Sequence, residues 1–388
     1  MNTTLTQVAT KFYGLDHLRA LAILLVFGFH YQLGYYGFPE WAKEFEQFGW
    51  TGVDLFFVLS GFLISSQLFA QIKVGKEISL KVFFVKRFFR ILPIYFVVVA
   101  IYFCIPFFRE QEQLPPLWRF LTFTQNFGLD RVNYGTFSHA WSLCVEEHFY
   151  LLLPLILVFL TMSNRLHKAY WILIILFLAG FAIRLISWHY LYLPAISENT
   201  GQGFWGKYIY YPTYNRLDGL LVGVSIAAMY QFLPKSWEKV SRFGNLLLIV
   251  GLALLTVAYI YCSRLSSYET SIYGFPFISI GYGFLVLGAI CPSSILYKWN
   301  CRVTTLIATL SYGIYLSHKG VVNIVQDLLT PLGVDKNSNL MFIICTAACV
   351  LIAWILHQII EKPFMKMRDR ILKKKKPAGR IEIIGTAA

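Results

Sequence analysis

The chain has 388 residues, of which 57% are hydrophobic and only 14% are charged, and its mean hydropathy is +0.58. Soluble globular domains carry about 25% charged residues, so this composition excludes a soluble protein and indicates one that crosses a membrane several times. The net charge of +14 falls mainly on one predicted membrane face. Anionic lipid head groups attract basic residues there, which argues against a nucleic-acid partner.

Apolar stretches of about 20 residues, long enough for a helix to cross a bilayer, recur from end to end. They predict an all-α, polytopic membrane helix bundle of ten transmembrane helices, with one membrane domain over residues 1–364 and a basic tail over 365–388. The predicted spans are 16–36, 50–71, 90–109, 139–162, 169–192, 214–233, 243–262, 273–296, 303–328 and 339–360.

Lysine and arginine are much more frequent in the segments that join the spans on the side of the N-terminus. This asymmetry predicts that both termini are cytoplasmic. The seven cysteines include no CxxC pair and lie mostly within or beside predicted spans. We therefore expect neither a disulfide framework nor a zinc site, and no bound metal.

The first span begins LDHLRALAILLVFGFH and contains Arg19 and His30. The two are eleven positions apart, which is about three helical turns, so both side chains lie on one helix face roughly 16 Å apart along the axis. Arg19 is then near one membrane surface and His30 close to the bilayer midplane. Ionisable residues at that depth indicate a functional site.

The second and third spans each contribute polar residues. Asp54, with Ser60 six residues later, lies in an otherwise apolar helix. It pairs with a cation from another span or with His30, or it is a polar contact that orders the bundle. Arg87 and Arg90 lie one turn apart at the cytoplasmic boundary, where two guanidinium groups can hold a polyphosphate such as that of coenzyme A. Ordinary anchoring to lipid phosphates explains the same spacing.

The later spans contain three further polar groups. Glu146, Glu147 and His148 follow a polar loop, and Glu147 is the predicted partner of His30 or Arg19. Arg216 and Asp218 lie at the outer entrance of the sixth span, where they bind substrate or neutralise each other. Tyr312, Tyr315 and His318 recur at helical spacing and either line a polar cavity or belong to the core.

These segments, taken in order, resemble the acyltransferase 3 family of membrane acyltransferases from Leu15 to about Phe364. The resemblance rests on the series LDHLRA with His30, GVDLFFVLSGFLI, RFFRILPIY, WSLCVEEHFYLLLP, RLDGLLVG, LSYGIYLSH and EKP. It implies a bundle of about ten helices in a bacterial cytoplasmic membrane. It also implies transfer of an acetyl group from cytoplasmic acetyl-CoA to a hydroxyl of a surface polysaccharide or lipid-linked glycan.

From the resemblance and the spacing together we expect His30, Arg19 and Glu147 to be catalytic and Arg87 and Arg90 to bind the acetyl-CoA phosphates. His30 is the general base or a transient acyl acceptor. Candidate substrate-binding residues are Asp54, Arg216, Asp218, Tyr312 and His318, and candidate oxyanion donors are Ser142, Tyr312 and Arg216.

Some members of the family carry a second, esterase-like domain that completes the transfer, and we find none after the last predicted span. The resemblance therefore implies a standalone enzyme or one with a separate partner protein. Two alternatives remain open at this stage. The first is a transporter or a flippase of a lipid-linked glycan, because charges at mid-membrane depth also occur in such proteins. The second is an acyltransferase that performs the same reaction but transfers the acyl group to a small-molecule product.

Overall fold

The computed structural model describes residues 12–33, 39–42, 48–198, 203–262 and 264–373, and these contain helices and no strand. Ten helices of fifteen or more residues form the bundle. They are α1 (Tyr13–Leu33), α2 (Gly52–Lys73), α3 (Leu80–Cys104), α4 (Trp141–Met162), α5 (Ala169–Ile186), α6 (Asp218–Phe232), α7 (Gly244–Tyr261), α8 (Phe275–Ile290), α9 (Arg302–Leu329) and α10 (Asn339–Leu356).

A helix occurs at each of the ten predicted positions, and the prediction of an all-α membrane bundle is confirmed. Seven helical segments in the described part of the chain are long and apolar enough to cross a membrane. The other three are α1 and α9, which contain polar site residues, and α6, whose 15 residues extend about 22 Å against a hydrocarbon core of about 30 Å. The number of spans therefore stays a prediction.

Helix α3 begins ten residues earlier than the predicted third span. Ser79 caps its N-terminus by accepting a hydrogen bond from the backbone N–H of Val82 at 3.3 Å. The basic segment that contains Arg87 and Arg90 is therefore helical, and not a loop before the helix. A continuous helix keeps the two guanidinium groups on adjacent turns of one surface.

Helix α1 lies at the centre of the bundle, where it contacts α2, α8 and α9. Helix α5 lies at the periphery, and most of its leucine, isoleucine and phenylalanine side chains are accessible. Apolar side chains on the outside of a membrane bundle face lipid, so this exposure agrees with a transmembrane position for α5. The polar site residues instead come from helices closer to the centre.

Helices α2 and α6 are in close contact because glycines meet at their interface. A Cβ atom at Gly61 would overlap the backbone carbonyl of Leu220, and one at Gly223 would overlap the carbonyl of Val58. Small residues allow this approach between membrane helices, where van der Waals packing replaces the hydrophobic effect as the driving force.

We expect Gly61→Val to destabilise the protein by about 1–3 kcal/mol, because the added side chain forces α2 away from α6. The matched control is Ala70→Val on the exposed side of the same helix. Thermal unfolding in detergent measures both variants. Equal melting temperatures for Gly61→Val and wild type would show that the interface tolerates separation.

After α10 the chain continues through a π-helical turn, His357–Glu361, into the helix Lys362–Lys373. This last helix contacts α3. The predicted basic tail over 365–388 therefore begins within a helix, and its residues after Lys373 lie outside the described part of the chain. The predicted division at residue 364 stays a prediction.

Candidate active site

A cavity lined by three arginines opens between α1, α2, α3, α4 and α9. We call it the arginine cavity, and it encloses about 1170 Å³ including the space at its mouth. The predicted site residues that line it are Arg19, Arg87, Arg90, Glu146, Glu147 and Tyr312. Five of these residues carry a formal charge. The bundle therefore brings together charged residues that are up to 128 positions apart in the sequence.

Hydrogen bonds hold several of these side chains in place. The Arg87 Nη2 atom donates to Gln67 Oε1 at 3.0 Å. The Ser60 hydroxyl donates to Glu146 Oε1 at 2.5 Å. The Tyr312 hydroxyl donates to the backbone carbonyl of Ile91 on α3 at 3.2 Å. The cavity therefore has a hydrogen-bonded wall.

The charges of the arginine cavity balance formally, since Glu361 joins Glu146 and Glu147 opposite the three arginines. Two of these carboxylates already have local partners, because Glu146 binds Ser60 and Glu361 lies 2.8 Å from His357 Nδ1. The Nε atom of Arg87, in contrast, is buried with no hydrogen-bond partner among the described residues. One guanidinium donor of Arg87 is thus left without a partner within the described part of the chain.

A second cavity contains the histidine predicted to be catalytic. We call it the histidine cavity, and it encloses about 1820 Å³ including its mouth. Its lining includes His30, His139, Lys319 and a wall of aromatic rings from Trp50, Trp141, Tyr192, Trp205, Tyr210 and Tyr211. Arg19 and His30 thus line different cavities, as expected for two residues three turns apart on α1.

Three histidines from three segments cluster at the histidine cavity. The Nδ1 atom of His30 is 3.0 Å from Nε2 of His318, and their rings are stacked with centroids 5.1 Å apart. The ring of His139 lies 5.6 Å from that of His30 and 5.0 Å from that of His318. His318 is the hydrogen-bond partner of His30, and the predicted partner Glu147 lies in the arginine cavity.

The two cavities adjoin, because Val53 lines both. Beside it, the Tyr315 hydroxyl donates to the backbone carbonyl of His139 at 2.5 Å. The same hydroxyl oxygen is 2.5 Å from Ser142 Oγ. Tyr315 therefore links the wall of the arginine cavity, which it lines with Ser142, to the backbone of a residue in the histidine cavity.

Two buried ion pairs lie behind the cavity walls. Arg216 Nη2 is 2.7 Å from Asp54 Oδ1, and Arg184 Nη1 is 2.7 Å from Asp218 Oδ2. The prediction that Asp54 pairs with a cation of another span is confirmed. Arg216 and Asp218 do not neutralise each other, since each pairs with a partner on a different helix.

The guanidinium of Arg216 is also surrounded by aromatic rings. It lies 4.0 Å from the ring centroid of Phe275, 4.6 Å from that of Tyr210 and 5.5 Å from that of Trp141. Tyr210 and Trp141 line the histidine cavity, whereas Arg216 lines neither cavity. Arg216 therefore packs against the aromatic rings of the cavity wall on the side away from the cavity. Direct contact of Asp54, Arg216 or Asp218 with substrate stays a prediction.

Some residues near the cavities were not predicted from the sequence. They are His139, Arg184 and the pair of Lys319 and Glu110, whose Nζ and Oε1 atoms are 3.3 Å apart. His139 carries a detectable signal, since it begins the predicted fourth span and lies two residues before the WSLC motif. Arg184 is a charged residue inside an otherwise apolar span, a pattern that indicates a buried partner.

Comparison with known proteins relates the chain to one family of acyltransferases. The acyltransferase domain model of the acyltransferase 3 family matches residues 12–358. The chain is 28% identical to the peptidoglycan O-acetyltransferase OatA of Listeria monocytogenes, over 99% of this chain and 62% of that protein. It is 26% identical to the O-acetyltransferase OatA of Staphylococcus aureus, over 91% of this chain and 57% of that protein.

The chain thus spans about six-tenths of the length of these curated relatives. No solved structure matches it. The match of the family model covers the helices that build both cavities and extends over nearly the whole described bundle. The chain belongs to the acyltransferase 3 family of membrane acyltransferases.

Proposed function

We propose that this protein moves an acetyl group from cytoplasmic acetyl-CoA to a hydroxyl of a surface polysaccharide or lipid-linked glycan. The observation that carries the proposal is that a cavity lined by arginines adjoins a cavity that contains His30, with Val53 in the lining of both. One cavity suits an anionic donor, and the other presents a candidate base to an acceptor.

The arginine cavity is the proposed donor site. Arg87 and Arg90 hold the phosphates of acetyl-CoA, with Arg19 close to them, because guanidinium groups bind phosphate oxygens through parallel hydrogen bonds. The buried Nε atom of Arg87, which lacks a partner among the described residues, supports this assignment. The pantetheine arm extends from the phosphates towards Val53 and places the thioester near His30.

The proposed reaction is acyl transfer by general base catalysis. The acceptor hydroxyl gives its proton to the His30 imidazole while its oxygen attacks the thioester carbon. The carbon–sulfur bond then breaks, and the coenzyme A thiolate leaves and takes up the proton from the imidazole. Direct attack by His30 on the thioester, with a transient acyl-imidazole, uses the same ring nitrogen. The tetrahedral intermediate needs an oxyanion donor, for which Ser142, Tyr312 and Arg216 stay the predicted candidates.

The histidine cavity is the proposed acceptor site. Its aromatic rings offer flat apolar surfaces, and polar side chains such as Gln111, Arg131 and Lys319 lie among them, so the cavity suits a ligand with both apolar faces and hydroxyl groups. The relatives support a glycan acceptor, since one of them is a peptidoglycan O-acetyltransferase. Delivery through a separate partner protein is a variant of the same proposal.

We further propose that the protein resides in a bacterial inner membrane with both termini in the cytoplasm. The excess of basic residues in the segments on the side of the N-terminus supports this orientation. With that topology the arginine cavity faces the cytoplasmic supply of acetyl-CoA, and the histidine cavity faces the extracytoplasmic glycan.

The test uses proteoliposomes that contain the full chain and carry acetyl-CoA with an isotopically labelled acetyl group on one side. Lipid-linked or soluble glycan is supplied on the other side, and mass spectrometry follows the label. Labelled glycan that requires both acetyl-CoA and the protein is the expected result. Movement of unmodified glycan across the bilayer without label would instead support a flippase.

A variant of the donor site gives a sharper prediction. We expect Arg87→Ala to weaken acetyl-CoA binding about 10- to 100-fold, because a hydrogen bond to a charged group contributes about 1.5–3 kcal/mol. The control is Arg242→Ala, which removes an exposed arginine that pairs with Glu238 on the protein surface. Titration of acetyl-CoA onto purified protein measures both. Unchanged affinity in Arg87→Ala would remove Arg87 from the donor site.

A further inference from the structure

The contact between His30 and His318 determines which nitrogen of His30 faces the substrate. His30 Nδ1 and His318 Nε2 are 3.0 Å apart, so one of these two atoms carries the hydrogen of the bond. A neutral imidazole carries a single N–H, and its other nitrogen has the lone pair that accepts a proton or attacks carbon. The location of that hydrogen therefore decides whether His30 is able to act.

The backbone of α9 fixes the hydrogen of His318. Its Nδ1 atom is 3.0 Å from the carbonyl oxygen of Ile314 and 2.9 Å from that of Tyr315, four and three residues earlier on the same helix. Carbonyl oxygens only accept hydrogen bonds, so Nδ1 is the donor. His318 is 1% exposed, and burial without an anionic partner favours the uncharged ring. Its Nε2 atom is then an acceptor.

The acceptor at His318 requires a donor at His30. Nδ1 of His30 therefore carries the hydrogen, and Nε2 carries the lone pair. His30 lines the histidine cavity, whereas His318 is outside that lining. The contact of His318 with the cavity therefore runs through His30.

We propose that His318 is the positioning residue that holds His30 in the Nδ1–H tautomer, with the Nε2 lone pair available for the acceptor hydroxyl. The assignment of a base to His30 rests on the proposed function, whereas the tautomer rests on the geometry alone. The logic is that of catalytic triads, in which a third group orients the base, and here a histidine anchored to its own helix backbone replaces the carboxylate.

The neighbouring groups do not compete for this role. His139 directs its Nε2 atom towards the carbonyl oxygen of Leu316, at 3.4 Å. Among the described residues, the hydrogen-bond partners of His30 and His318 include no carboxylate. Lys319 follows His318 on α9 and pairs with Glu110.

The kinetic test compares two substitutions of His318. His318→Phe removes the acceptor, and we expect kcat to fall about 10²- to 10⁴-fold, as when a base is held in the wrong tautomer, with KM for acetyl-CoA within twofold of wild type. His318→Gln supplies a carbonyl oxygen near the position of Nε2, and we expect its kcat to be at least about tenfold higher than that of His318→Phe. A purely structural role of His318 in packing would affect both variants equally.

The matched control is His148→Gln. His148 is a half-buried histidine of α4 with its own hydrogen bond, to Thr213 at 2.8 Å, and it lines neither cavity. We expect wild-type kcat and KM for this variant. The amount of folded protein is measured by size-exclusion chromatography for every variant, so that rates refer to folded molecules.

Nitrogen-15 NMR of the histidine-labelled protein in detergent reads the tautomer directly, with His30→Gln used to assign the signals. We expect hydrogen on Nδ1 of His30 in wild type and a shift towards Nε2–H in His318→Phe. A wild-type Nε2–H tautomer, or wild-type kcat in His318→Phe, would overturn the inference. Wild-type protein that shows the expected tautomer but transfers no acetyl group would contradict the proposed function and leave the positioning intact.

Discussion

Replacement of His30 by alanine is expected to abolish acetyl transfer, with a loss of about 10²- to 10⁴-fold in kcat, while the protein remains inserted and folded. The reason is that alanine has no group to accept the hydroxyl proton, and general base catalysis contributes about this factor. Membranes that contain wild type or His30→Ala receive labelled acetyl-CoA, and mass spectrometry measures label in surface and lipid-linked glycans.

The control for this experiment is again a histidine outside both cavities, His148→Ala, for which we expect the wild-type rate. The binding of acetyl-CoA to His30→Ala is measured in parallel and should be close to that of wild type, because His30 does not line the arginine cavity. Wild-type turnover by well-folded His30→Ala would refute the assignment of the base. No turnover by wild type would direct attention to another acyl donor or to a missing partner protein.

Asp54→Ala is expected to destabilise the protein by about 3–5 kcal/mol. The substitution leaves the guanidinium of Arg216, which is 1% exposed, without its carboxylate at 2.7 Å. Loss of one partner of a buried ion pair costs about this much, because the remaining charge is desolvated and uncompensated. The melting temperature in detergent and the yield of monodisperse protein are the measurements.

The double variant Asp54→Leu with Arg216→Met separates this explanation from simple loss of packing. Replacement of both charges by apolar side chains removes the uncompensated charge, so we expect it to recover most of the stability. The exposed pair of Arg242 and Glu238 serves as the control, and Glu238→Ala should have little effect because water solvates both partners. A wild-type melting temperature for Asp54→Ala would show that Arg216 is stabilised by its aromatic neighbours alone.

Much of the fold follows from local sequence. Apolar stretches of helical length predict a helix at every one of the ten positions, because the chain has to satisfy its backbone hydrogen bonds within each segment when water is absent. The boundaries are less accurate, as α3 shows. Its basic first turns are polar and resemble a loop by composition, but the Ser79 cap and the helical spacing of the arginines extend the helix to Leu80.

The candidate site could be predicted in part. The spacing of Arg87 and Arg90 correctly indicates that both lie on one face, and both line the arginine cavity. The partner of His30 could not be predicted, because Glu147 and His318 are on different helices and spacing within a helix says nothing about which helices meet. The roles of these residues in catalysis remain predictions.

By itself, the sequence determined that this protein is a helical membrane bundle, which residues share a helix face, and that its ordered motifs resemble one family of acyltransferases. These properties depend on composition and on the period of the helix, both of which are local. The tertiary structure decided that Arg19 and His30 line two adjoining cavities, that Asp54 pairs with Arg216, and that His318 contacts His30. Such contacts arise from the packing of distant segments, where small residues such as Gly61 and Gly223 set how closely two helices approach.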